Sequence, residues 1–199
     1  METPDLAAFL VIQMDVLADL AGRLGLPRDA AGWRGRADAM LVAMVRHCYV
    51  DGEPVARRSG THEPVQNDSL LLCIPVVLGR RIPEPLLRRT VDTLKSAKFL
   101  TEHGLATESP QSALYQSDGY WRGPIWAPST MLIVDGLARS GEAAFAKDIA
   151  RRFCDMVAKN GCAENFDALT GEGLCDRAYT WTASVFLLLA NGLLDGAAG

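Results

Sequence analysis

Apolar residues recur along most of this chain at intervals of three and four, the period of a helix rather than of a strand. From 4 to about 24, Leu6, Phe9, Leu10, Ile12, Val16, Leu17, Leu20 and Leu24 mark one face of a first helix. Pro4 suits its first turn and Gly25 its C-terminal stop. Pro27 opens a second helix to about 47, with Trp33, Ala37, Met40, Leu41, Met44 and Val45 as its stripe. Asp51-Gly52 is a turn signal, and 50–58 reads as a short irregular hairpin. A third helix starts at Asn67 or Asp68, either of which can cap it. It passes through Leu70, Leu71, Leu72, Ile74 and Val77, and Pro75 kinks or interrupts it. Nearly every position there is apolar, which predicts burial on most sides. A fourth helix spans 83–98, and 124–140, 142–159 and 179–194 are the fifth, sixth and seventh. Between the fourth and fifth lies a loop over 101–123, carrying Gly104, Pro110 and Gly119. A loop of that length in a compact domain is usually functional or disordered.

Odd-numbered helices are apolar, whereas even-numbered ones are amphipathic, with Arg88-Arg89 on the fourth and Arg151-Arg152 on the sixth. That alternation predicts an all-α fold of helical hairpins, an inner layer covered by an outer one. The long loops precede the fifth and seventh helices, so both should emerge at the same end. No sequence repeat marks a regular solenoid.

Composition narrows the partners. A chain of 199 residues fits one domain over 1–199 and can bury a core without metal or disulfide help. Net charge is −4 and no basic tract stands out, which argues against a nucleic-acid partner. Acids at Glu2, Asp5, Asp15 and Asp19 exclude a secretory signal. No apolar stretch reaches membrane-spanning length without a charge or a breaker, so no membrane partner is expected. Cys48, Cys73, Cys154, Cys162 and Cys175 form no CxxC pair and read as reduced thiols in a cytoplasmic protein. His47, His62 and His103 are scattered and make no metal motif, so no metal or other cofactor is implied. His47 reads as a helix C-terminal residue that suits the dipole.

Two segments carry candidate chemistry. Tyr120-Trp121-Arg122-Gly123-Pro124-Ile125-Trp126-Ala127-Pro128 sets two tryptophans and an arginine beside glycine and proline. Ala163-Glu164-Asn165-Phe166-Asp167-Ala168-Leu169-Thr170-Gly171-Glu172-Gly173 is an acidic loop rich in turn residues. Exposed indoles offer flat apolar faces for sugar rings, and carboxylates offer proton chemistry. Taken singly, the tryptophans read as core anchors and Glu164 as a solvated loop acid. Together the segments point to a carbohydrate site.

Gly119-Tyr120-Trp121-Arg122-Gly123-Pro124-Ile125-Trp126, then Glu164-Asn165-Phe166-Asp167 and Thr170-Gly171-Glu172-Gly173, then Tyr179-Thr180-Trp181-Thr182-Ala183, resemble glycoside hydrolase family 63. Bacterial proteins described as amylo-alpha-1,6-glucosidases look the same, and trehalases are more distant relatives. The opening Asp5-Leu6-Ala7-Ala8-Phe9-Leu10 resembles a segment from the middle of those enzymes. The resemblance implies an (α/α)6 barrel and inverting hydrolysis of alpha-linked glucosides or related sugars. Inversion uses two carboxyl groups on opposite sides of the bond. It maps the general base onto Glu164 and the sugar pocket onto Trp121, Arg122 and Gly123, with Trp126 behind. The family's general acid is an aspartate in a Gly-Trp-Asp-type motif upstream of the segment matched by Asp5 to Leu10. These 199 residues hold no such motif and about five fewer helices than a twelve-helix barrel. The expectation is a partial (α/α)6 barrel of about seven helices: a C-terminal fragment, a split product or a short form.

The remaining residues are weighed in that light. Asp118 binds a sugar hydroxyl, caps a loop, or substitutes for the missing acid. Glu63 and Glu108 are further loop acids, ranked below it. Arg122 can grip hydroxyls or a carboxylate with its planar fork, or pair with Asp118. Trp121 is the sugar platform, with Tyr120 and Asn165 beside it, whereas Trp126 and Trp181 read as packing near the pocket wall. Asp167 and Thr170 shape their loop. The leading reading is a glycosidase acting on a glucoside or small oligosaccharide, completed as a homodimer or oligomer. The competing one is a sugar-binding or inactive remnant serving as an interaction module.

Overall fold

A computed structural model describes residues 1–195. The helices are α1 (Pro4–Arg23), α2 (Pro27–Cys48), a 3-10 helix (Leu70–Arg81), α3 (Glu84–Lys95), α4 (Ala127–Ser140), α5 (Ala143–Asn160) and α6 (Thr180–Asp195). Three antiparallel ladders of two-residue strands join the loops: β1 (Tyr49–Val50) with β2 (Glu53–Pro54), β3 (Ala56–Arg57) with β4 (Pro64–Val65), and β5 (Asn165–Phe166) with β6 (Gly173–Leu174). No helix among the described residues is long and apolar enough to cross a membrane.

The packing order gives a partial (α/α) barrel. α1 touches the 3-10 helix, which touches α4, which touches α6. These four form an inner arc. Outside it, α2 lies on α1, α3 on the 3-10 helix, and α5 on both α4 and α6. The core has two parts. One gathers α1, α2, the 3-10 helix and α3 around Leu70, Ile74, Leu94 and Phe99. The other gathers α5, α6 and the loops around Ile125, Phe153 and Phe166. Val134 on α4 packs against both.

Helix ends follow local chemistry. Gly25 adopts φ 72° after α1, and the Leu26 N–H reaches back to the Ala21 carbonyl at 2.9 Å, a Schellman-type stop. The outward stripe of α1 departs from expectation: Leu6, Val16, Leu20 and Leu24 are exposed, while the small Ala8, Val11 and Ala18 face inward. Small side chains let α1 approach its neighbours closely, and the larger ones are left on the open flank.

The third helix is also altered. It is a 3-10 helix, capped by Ser69, whose hydroxyl accepts the Leu71 N–H, rather than by Asn67 or Asp68. Asn67 instead accepts the Ser69 N–H just before the helix. Pro75 removes a backbone donor mid-helix, and Gly79 at φ 55° breaks the helical run. The fifth helix starts at Ala127, three residues later than expected, because Ile125 is spent in an extended pairing described below.

The 101–123 loop is ordered along most of its first half. Residues 104–109 are buried, and Thr107 anchors them: its carbonyl accepts the Leu70 N–H and its hydroxyl donates to the Pro124 carbonyl. Backbone pairing, invisible to periodicity, does the ordering.

A Cβ on Gly136 of α4 would sit 2.6 Å from the Val76 carbonyl oxygen, so this glycine sets the approach of two inner helices. Gly136→Ala should therefore cost about 1–3 kcal/mol. Gly35→Ala on α2, where nothing lies within 4 Å, should be neutral or stabilising. Paired thermal melts check both, at about 2–4 °C in Tm per kcal/mol.

Candidate active site

The Tyr115–Trp126 segment folds on itself before α4 begins. The Gln116 N–H donates to the Arg122 carbonyl at 2.8 Å, and the Arg122 N–H to the Gly119 carbonyl at 3.1 Å. A Cβ at Gly123 would lie 2.1 Å from the Gln116 carbonyl oxygen, so only glycine fits this knot. Tyr120 stands at its tip with φ 60°, a left-handed conformation that a bulky residue rarely takes.

The knot aims its rings into one cluster. Trp126 is fully buried, and its indole N–H donates to the Tyr120 carbonyl at 2.9 Å. Trp121 stacks on Trp126 with centroids 4.5 Å apart and planes 14° from parallel. Tyr120 sits edge-on to both. Trp181, on the first turn of α6, is tilted 6.2 Å from Trp126, and Tyr179 packs edge-on to Trp181. Trp126 is thus the anchor, as expected of a packing residue. Trp181 is half exposed and, with Trp121, Met131 and Val185, lines an apolar groove of about 530 Å³.

The acidic loop is held against this cluster by main chain. Ile125 and Phe166 exchange both backbone hydrogen bonds, at 2.7 and 3.0 Å, and both side chains are buried. Phe166 packs edge-on to Phe153 of α5. Asp167 accepts the N–H groups of Leu169 and Thr170, the loop-shaping role expected of it. Glu164 precedes this pairing. It is half-buried between buried Ala163 and Asn165, and its N–H donates to the Asp176 carbonyl at 2.6 Å. The Thr182 hydroxyl fixes Ala163 by donating to its carbonyl at 2.6 Å.

Asp118 and Glu164 bear on the same side chains. The Cys175 thiol donates to Asp118 Oδ1 at 3.8 Å. Desolvation first, then the charges of Asp118 and Glu164, push that thiol up from its ordinary value, while Asn165 works weakly the other way. Desolvation and then the Glu164 charge likewise raise the Tyr179 phenol. Asp118, Glu164, Asn165, Cys175 and Tyr179 therefore share one patch beside the aromatic cluster.

Arg122 does not join it as expected. Its guanidinium donates to Gln116 Oε1 at 2.7 Å, and among the described residues it forms no ion pair with Asp118 or any other acid. Glu164 is not among the residues lining the Trp121 groove. Glu108 is buried elsewhere, in the pairing with Ser69, with Oε1 lacking a hydrogen-bond partner. Glu63 is an exposed turn residue bonded to Thr61. A polar cleft of about 350 Å³ between α5 and the 102–103 and 170–171 turns holds none of the expected site residues. Tyr179 and Cys175 were not singled out from the sequence. Tyr179 lies in one of the resembling motifs, a signal that was present; Cys175, with φ 60° in an irregular loop, gave none.

The chain is similar to known glycoside hydrolases in sequence and in fold. The model of the mannosylglycerate hydrolase MGH1-like glycoside hydrolase domain matches residues 1–182. Mannosylglycerate hydrolase MGH1 of Selaginella moellendorffii is 29% identical over 85 residues, 43% of this chain and 17% of that protein. Glucosylglycerate hydrolase of Mycolicibacterium hassiacum is 31% identical over 118 residues, 57% of this chain and 26% of that protein. Among solved structures, the GH63 mannosylglycerate hydrolase from Thermus thermophilus in complex with glucose superimposes with a TM-score of 0.73 at 21% identity, covering 92% of this chain and 47% of that one. Neutral trehalase Nth1 from Saccharomyces cerevisiae gives 0.78 at 20% identity, covering 95% and 37%. The chain thus spans less than half of each of these proteins.

The shared patch has a spectroscopic consequence. Removing the Glu164 charge makes the Tyr179 phenolate easier to form, so its ionisation should move to lower pH in Glu164→Gln. An ultraviolet difference titration, with Tyr179→Phe to identify the signal, checks this. An unmoved Tyr179 transition would separate the two side chains.

Proposed function

The chain belongs to the mannosylglycerate hydrolase MGH1-like glycoside hydrolase family, and we propose that it supplies the base and the sugar platform of an inverting glycosidase. The observation that carries this reading is the convergence of Glu164 and Asp118 on one thiol, Cys175, beside the stacked Trp121 and Trp126. In the proposed reaction Glu164 takes a proton from water, the water oxygen attacks the anomeric carbon, and the glycosidic C–O bond breaks. The leaving oxygen takes a proton from a second carboxyl group, for which Asp118 is the candidate within the chain. Trp121, Trp181 and Tyr120 give the sugar its apolar bed, and Asn165 and the Gly123 turn hold the loop around it.

For the substrate, we propose a small hexoside, with the glucosyl- and mannosylglycerates that name the relatives as first choices. Arg122 supports an acidic aglycone. It is exposed, and its recorded side-chain partner is a neutral amide, so its charge is available to a carboxylate. The free state of all five cysteines supports a reducing, cytoplasmic setting.

The test is hydrolysis of activated aryl glycosides and of the two glycerates. Glu164→Gln keeps the size and hydrogen-bonding capacity but removes the base, and the rate should fall about 10²–10⁴-fold. Asp118→Asn should slow the glycerates more than the aryl glycosides, whose good leaving groups need less acid help. Arg122→Gln should raise KM for the glycerates alone. Full activity in Glu164→Gln would refute the mechanism, and sugar binding without hydrolysis by the wild type would favour the binding remnant.

We also propose that a second copy covers the exposed apolar side chains on the open flanks, Leu6, Val16 and Leu20 of α1 and Trp181, Leu187 and Leu188 of α6. Each copy brings four inner helices, so two copies would pair face to face rather than rebuild a ring of six. Light scattering at high micromolar concentration should give twice the 21.5 kDa chain mass; a monomer mass would exclude this assembly.

A further inference from the structure

The three histidines are scattered in the sequence, yet the fold brings two of them together far from the aromatic cluster in the chain. His47 lies in the last turn of α2, His62 in the turn between β3 and β4, and Glu2 just before α1. His47 Nε2 and His62 Nδ1 stand 2.7 and 2.9 Å from the same oxygen, Oε2 of Glu2. The imidazole rings meet edge to face with centroids 5.4 Å apart. One ligand atom from each of the three residues lies within 4.8 Å of the other two.

We propose that Glu2, His47 and His62 form a binding site for a divalent transition-metal ion of the zinc type. Three features support it. The donor set is two imidazoles and a carboxylate, which suits such an ion, and leaves further coordination positions to water or a ligand. The spacing is close to what is needed, because an ion about 2.0–2.2 Å from each donor sets them about 3.3–3.5 Å apart. The two contacts to Glu2, at 2.7 and 2.9 Å, need to open by about half an ångström for an ion to replace the hydrogen bonds, and the two imidazole donors lie within 4.8 Å of each other. The backbone is also arranged for this grouping. His62 takes φ 59°, a left-handed conformation uncommon for a side chain of its size. Arg57 holds that turn in place, donating to the carbonyls of both His47 and His62.

Charge and protons balance simply. In the metal-free state each imidazole donates an N–H to Glu2. In the bound state each turns a lone pair to the ion and carries its proton on the other ring nitrogen, while Glu2 contributes one anionic oxygen. The Arg57 guanidinium is the opposing charge nearby, and its nitrogens are directed to backbone carbonyls. The remaining positions open onto an apolar groove of about 540 Å³ lined by Leu6, Leu10, Met40 and Met44. The ion would tie the N-terminal segment to the end of α2 and to the β3–β4 turn.

Zinc and cobalt salts test the site directly on the full chain after chelator stripping. Equilibrium dialysis with zinc chloride should give one ion per chain, and the cobalt-loaded protein should show d–d bands without the strong charge-transfer absorption of thiolate ligation. Zinc at about a hundred times its dissociation constant should raise Tm by about 5–10 °C. His62→Asn keeps a residue suited to the left-handed backbone and removes the imidazole. It and Glu2→Gln should each weaken binding at least ten-fold and cut the Tm shift at the same zinc concentration to about half or less, while melting near the wild type without metal. Wild-type protein that takes up no zinc at 100 times the protein concentration would overturn the proposal. So would His62→Asn with unchanged affinity, or binding that follows Cys175→Ser instead.

Discussion

Two main-chain hydrogen bonds between Ile125 and Phe166 hold the candidate site together. Each is worth only about 1 kcal/mol net, but both residues are fully buried, and an unpaired N–H or carbonyl there would cost more than the bond returns. Sliding either strand by one residue would strand those groups and turn a buried side chain outward. The pairing therefore fixes the register between a tryptophan-bearing segment and a carboxylate loop that the sequence separates by the whole of α4 and α5. It also explains where α4 begins: residues committed to an extended bridge cannot open a helix, so the helix waits for Ala127.

The next level depends on that register. Trp126 follows Ile125 directly and is driven into the core, where its indole nitrogen needs an acceptor. The Tyr120 carbonyl supplies it, which pulls the tip of the knot over the tryptophan and leaves the Tyr120 ring standing outward. Gly123 permits the chain to double back, and Trp121 then has a flat surface to stack on. On the other segment, burial of Phe166 fixes the strand that Glu164 precedes, which leaves Glu164 half-buried at the edge of the same patch. The side chains that meet substrate in the proposed mechanism are thus set by the burial of their neighbours.

Periodicity made the helices legible because each inner helix must hide apolar surface on its neighbours, and the alternation of apolar and amphipathic segments carried the layering. The direction of α1 was not legible in this way. Its large apolar residues make the stronger periodic signal, yet close packing against α2 and the 3-10 helix selects the stripe of Ala8, Val11 and Ala18. The ordering of residues 104–109 was equally hidden, since Thr107 acts through backbone pairing that leaves no mark on side-chain spacing. At the site, Glu164, Trp121 and Trp126 were legible as a motif. The Arg122–Gln116 bond and the approach of Cys175 to Asp118 were not, because they depend on two separate loops with left-handed residues, Tyr120 in one and Cys175 in the other. The meeting of Glu2, His47 and His62 needs three separate segments to converge and has no linear signature at all.

The open arc sets a physical condition on acid catalysis. A carboxyl group that must hold its proton at neutral pH needs either a dry environment or a close negative neighbour. Asp118 lies at an exposed edge, where water and salt screen the influence of other charges. Covering the flank beside Trp181 would remove that water and strengthen every charge interaction in the patch at once. Burial of apolar surface and the tuning of a carboxyl pair would then be one event, so the proposed assembly and the proposed acid catalysis would be coupled through the same few side chains. The base is less demanding: a half-buried carboxylate such as Glu164 can accept a proton from water while still partly solvated. In the proposed mechanism an uncovered chain would keep Glu164 and the Trp121 bed and would lack chiefly the means to protonate a poor leaving group, which would place its weakness in one step of the reaction rather than in binding.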